Sequence, residues 1–130
     1  MPTPRLPATA GASLLDAGHD WDAIRMSRPL SLTVMGILGA HCGAVLEDPL
    51  TSGGVLYFFT PAGTSRTWDV DGTRSLGLGA SVVIPPTLRM EGPGPYWRIR
   101  PGPDYWFTAP SLLAFAIVAA SDRQALEQAG

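Results

Sequence analysis

The chain has 130 residues, a mass of 13.7 kDa and a formal charge of −2, a size suited to one domain with one core. With 45% hydrophobic and 15% charged residues, it is too apolar for a disordered polyelectrolyte and too evenly charged for a nucleic-acid tail. The single cysteine, Cys42, excludes an internal disulfide framework and a Cys-rich zinc site.

The longest apolar run, Leu112 to Ala120, is well short of the roughly 20 residues of a membrane span. No apolar leader is expected at the N-terminus, where Pro2, Pro4 and Pro7 interrupt the chain, so the expectation is a cytoplasmic protein without a membrane partner. All the basic residues are Arg and none is Lys, a mark of GC-rich coding that favours forked, planar donors over mobile ammonium groups.

Residues 1–9 read as a flexible Pro-rich arm, and residues 10–130 as a single α+β domain. Ala10 to Ala17 suggests a short helix closed by Gly18. Ile24 and Met26, with Arg25 between them, suit a short strand leading to Pro29. Ser31 is a candidate N-cap for a helix carrying Leu32, Val34, Met35, Ile37 and Leu38, which Gly39 can end. Gly43 to Asp48 reads as a strand stopped by Pro49, and Leu50 to Gly54 as a turn. Val55 to Thr60 is apolar on both faces and is expected to be a central strand.

A polar loop over residues 61–72 contains Trp68, and a short strand is expected around Ser75 and Leu76. Ala80 to Ile84 is a strand terminated by Pro85 and Pro86. Tyr96 to Arg100 alternates, which predicts Tyr96, Arg98 and Arg100 on one face and Trp97 and Ile99 on the other. A final helix is predicted from Pro110 or Ser111 to Ala129, apolar nearly all round in its first half. The expected fold is α+β, with a small, mostly antiparallel sheet of about five strands and two or three helices.

The Gly53-Gly54 turn before Val55-Leu-Tyr-Phe58, the stretch from Gly72 through Val82-Val-Ile-Pro-Pro86, and the pair Tyr96-Trp97 together resemble part of a known family. They are similar to the second half of the bifunctional DNA primase/polymerase N-terminal domain, in the archaeo-eukaryotic primase superfamily. The likeness covers roughly residues 40–100 and implies a primase/polymerase-like half-domain, since the family domain is longer than this chain. Family members hold divalent metal with an Asp-x-Asp pair and a third acid. Here the matching strand end is Glu47-Asp48, neighbours that face opposite sides of an extended strand. The family His falls on Val55 and the third acid on Arg74. These departures imply a scaffold without two-metal nucleotidyl transfer: a non-catalytic, cofactor-free module that binds a protein partner or itself.

Two alternatives remain open. Tyr96, Trp97, Arg98 and Arg100, with Tyr105-Trp106-Phe107 beyond, have the residue types of a weak single-strand nucleic-acid platform, in which aromatic faces stack on bases at about 1–3 kcal/mol each. The negative net charge opposes it. A divergent metal-dependent enzyme would use Glu47, Asp69 and Asp71. Asp69 and Asp71 share a face if extended, against a solvated turn before Gly72. Asp16, His19, Asp20 and Asp22 crowd one stretch that reads as a ligand cluster or, more plainly, as a hydrogen-bonded turn. His41-Cys42 lacks an orienting acid, so Cys42 is expected to be a buried thiol. An exposed face on Leu112 to Ala120 would be a docking surface or dimer contact.

Overall fold

The computed structural model describes residues 11–51, 53–103 and 106–129. The expected N-terminal arm, Ala10 and Tyr105 lie outside the described residues. The chain order is β1 (Ser13–Asp16), β2 (Asp22–Ser27), α1 (Arg28–Leu38), β3 (Val45–Asp48), β4 (Val55–Thr60), β5 (Thr73–Leu76), β6 (Ser81–Ile84), β7 (Tyr96–Ile99) and α2 (Pro110–Ala129). Five strands form one sheet in the order β5-β2-β4-β3-β7, and β1 pairs with β6 in a separate ribbon. All the strand pairs are antiparallel. Among the described residues the fold is therefore α+β, with the expected five-stranded antiparallel sheet and, beyond it, the two-stranded β1–β6 ribbon.

β4 occupies the middle of the large sheet, as its two-sided apolar pattern predicts. Leu56 and Phe58 join Ile24, Met26 and Val45 beneath the two helices, packed on Leu30, Val34, Leu113, Ala116 and Ile117. Phe59 points the other way, into a second cluster with Trp21, Leu46, Ile84, Trp97 and Trp106. There the rings of Trp21 and Trp106 meet Phe59 edge-on at centroid distances of 5.2 and 5.4 Å. Such T-shaped contacts align ring edges with ring faces. The result is three layers: helices, sheet, and the β1–β6 ribbon with the Trp106 segment.

Three local expectations are corrected. Ala12 to Ala17 is not helical, because β1 occupies Ser13–Asp16 and pairs along β6, with Leu14 opposite Val83. A segment this short cannot sustain a helix alone, and the open edge of β6 supplies a full ladder. Ser31 is not an N-cap: α1 begins at Arg28 with Pro29 in its first turn, and the buried Ser31 hydroxyl donates back to the Ser27 carbonyl at 2.7 Å. Trp97 and Ile99 do not share a face. A register shift between Val45 and Leu46 in the β3–β7 pairing sends Trp97 into the aromatic cluster and Ile99 toward the helix layer.

The segment after β7 returns across Gly43. Gly43 N–H donates to Thr108 Oγ1 at 2.9 Å, Ala44 N–H to the Trp106 carbonyl at 3.2 Å, and Thr108 N–H to the Phe59 carbonyl at 2.9 Å. A Cβ on Gly43 would sit 2.7 Å from the Phe107 carbonyl carbon, so the two backbones meet where no side chain fits. Gly43→Ala is expected to destabilise the fold by about 1–3 kcal/mol through this overpacking, measured by urea denaturation. An unchanged midpoint would mean that the crossing is loose.

Candidate functional site

β3 carries the most elaborated polar centre. Glu47 alternates with Leu46 along the strand and faces the helix side of the sheet opposite Leu56, where it is 3% exposed. Arg98 Nη1 donates to its Oε1 at 2.7 Å, and Arg28 Nε to its Oε2 at 3.3 Å. Each carboxylate oxygen thus has a charged donor, which compensates for its removal from water. The Glu47 hydrogen bond is also the leading cause that raises the Arg98 guanidinium above its ordinary value. This arrangement ties the start of α1 and the edge strand β7 to β3. It leaves Glu47 engaged by two cations.

The remaining acids are dispersed. Asp48 turns away from Glu47 and serves the following turn, accepting from Leu50 N–H and Thr51 Oγ1 at 2.9 and 3.3 Å. Asp69 and Asp71 lie exposed on the loop before β5, where they line a cavity of about 460 Å³ with Val118 and Asp122 of α2. Glu47 does not line that cavity, and among the described residues no group of three or more His, Cys, Asp or Glu side chains converges as a metal site. Asp16 accepts from Ser81 Oγ across the ribbon, while His19 and Asp20 are exposed.

Asp22 is fully buried. Its Oδ2 gathers Gly63 N–H at 3.1 Å and Ser65 N–H at 2.8 Å, fastening the loop after β4. Its Oδ1 and the Thr60 hydroxyl, register partners across β2 and β4, make no hydrogen bond among the described residues.

The aromatic candidates are mostly structural. Trp97 is wholly buried and presents no face to a base, Tyr96 and Arg98 are half-buried, and Arg100 is exposed. Trp106 is also buried. Cys42 is buried beneath the helices, and burial pushes its thiol up to about 11. Cys42 therefore has the environment of an inert core thiol rather than a nucleophile.

Val55 and Arg74 come together. Both line a cavity of about 350 Å³ that also includes Arg25. Nothing in the sequence singles out Arg25 and Arg28. The only local signal is a cation set between the apolar Ile24 and Met26; the contacts of both residues depend on long-range strand pairing. Comparison with family models, with curated proteins and with solved structures found no match. Among the described residues, no helix is long and apolar enough to cross a membrane.

Removing one arginine should leave Glu47 with half its compensation. Arg98→Ala is expected to cost about 1.5–3 kcal/mol, the range for a hydrogen bond to a charged group. Arg28→Ala should cost about 1 kcal/mol or less, because its contact is longer and its own side chain is nearly half exposed to solvent. The double variant should lose more than the sum of the two, since it strands a buried carboxylate. Denaturant titration of all three checks this, and strict additivity would dismiss the shared role. Ellman's reagent at pH 8 should label Cys42 at least about tenfold more slowly in the native protein than in denaturant, because the thiolate fraction falls with the raised pKa.

Proposed function

We propose that the protein is a non-catalytic binding module on a primase/polymerase-like scaffold, and that it docks a protein partner through the outer side of α2. The observation that carries this reading is the two-sided apolar character of that helix. Leu113, Ala116, Ile117 and Ala120 fill the core. On the opposite side Leu112, Phe115, Val118 and Leu126 stand in solvent, Phe115 at 70% exposure. Core packing explains the first set and leaves the second without an internal use.

Acids border this surface. Asp69, Asp71 and Asp122 share a cavity with Val118, so the favoured partner presents an apolar anchor flanked by basic side chains. The chemistry at the positions marked by the family resemblance supports a module without catalysis. Val55 offers no phosphate ligand, Arg74 is a cation in place of an acid, and Glu47 is engaged by Arg28 and Arg98.

Light scattering at increasing concentration separates a second copy from a foreign partner, and Phe115→Ser tests the surface itself. This variant should change folding stability by no more than about 0.5 kcal/mol, as expected for an exposed site. Ile117→Ala on the inner side should cost about 2–5 kcal/mol. The expected result is a monomer whose capture of a cognate protein is lost in Phe115→Ser. A concentration-dependent dimer abolished by the same change would make the partner another copy of this chain. Primer synthesis in Mn²⁺ by the unmodified protein would overturn the reading.

A further inference from the structure

On the sheet face opposite the helices, Arg25 of β2 and Arg74 of β5 stand directly across from each other. Like charges in register on neighbouring strands repel, and a sheet normally avoids them. The protein has net charge −2, so a surplus of cations does not force the pairing. Neither guanidinium has a carboxylate within ion-pair distance or a side-chain hydrogen bond among the described residues; the ion pairs formed are those of Arg28 and Arg98 with Glu47.

Asp48 shares this face by register, opposite Val55. It lies two strands from Arg25, and the turn holds both its oxygens. Tyr57, the other register neighbour of Arg25, is influenced by both arginines, although burial dominates and raises its hydroxyl.

The pair opens into the cavity of about 350 Å³ at the end of the sheet where β2 leaves and β4 and β5 begin. Ser27 and Thr73 line it beside Gly54 and Val55. The Thr73 hydroxyl is committed to the Val70 carbonyl and the Trp68 ring N–H, which leaves Ser27 as the hydroxyl at hand. Arg28 leans on Gly54 at the margin but is taken by Glu47.

We propose that this cavity binds a dianionic oxyanion, held between the Arg25 and Arg74 guanidiniums, with Ser27 as a neutral donor. Two forked cations match the charge of one phosphate monoester or one dicarboxylate, and each can offer parallel N–H donors. The cavity is large enough for the group and a small organic remainder. Two cations suit a single such group better than a polyanion, whose other charges would meet a net-negative protein.

The test is calorimetric and thermal titration of the full chain with inorganic phosphate and, separately, with malonate, each at fixed ionic strength balanced by chloride. Binding is expected for at least one, and the arm that binds names the source of the oxyanion. Arg25→Gln and Arg74→Gln should each weaken it about tenfold or more, equivalent to about 1.4 kcal/mol. Without anion, Arg74→Gln should melt higher than the parent, because the repulsion is gone. With anion, it should lose the stabilisation that the parent gains. Failure of both anions to bind, or binding that survives both substitutions, would overturn the proposal.

Discussion

Leu56 and Phe58 leave β4 toward the helices, Phe59 leaves it toward the ribbon, and all three are fully buried. A strand buried on both faces needs a cover on each. The first is supplied by α1 and α2. The second comes from the β1–β6 ribbon and from the Trp106 segment, which is fastened by the Thr108 and Ala44 hydrogen bonds. The close backbone approach at Gly43 follows from the same demand, since it seats the Trp106 segment against the aromatic side of the sheet.

Charge is distributed on a different logic on the two faces. Glu47 is buried and compensated twice, so its cost of desolvation is met within the fold and it joins three elements. Arg25 and Arg74 are set against each other with no such compensation among the described residues. A stabilising network and an uncompensated pair within one small sheet imply different roles. The first is a fastening. The second accepts a local penalty that folding alone does not require.

Where local pattern and tertiary environment agreed, the fold could be read in the sequence. The central position of β4, the end of α1 at Gly39, the stop of β6 at Pro85 and the span of α2 all follow from periodicity and chain-breaking residues. Reading failed where a distant partner decided the outcome. β1 is a strand because β6 pairs with it. Trp97 and Ile99 part because the pairing with β3 slips by one residue. The engagement of Glu47 was illegible for the same reason: its two arginines lie 19 and 51 residues away along the chain. Arg74 stands at a position that the family resemblance marks, whereas its neighbour Arg25 emerges only once β2 and β5 are in register.

The two surfaces proposed to act lie on opposite sides of the sheet. The outer side of α2 belongs to the helix layer, while Arg25 alternates with Ile24 and Met26 and so faces away from that layer. A protein seated on Phe115 and Val118 would therefore leave the arginine cavity open, and a small anion would not compete with it for space. β2 is common to both sides: its Ile24 and Met26 pack in the helix-side core that also holds Leu113 and Ile117 of α2, while Arg25 between them lines the cavity.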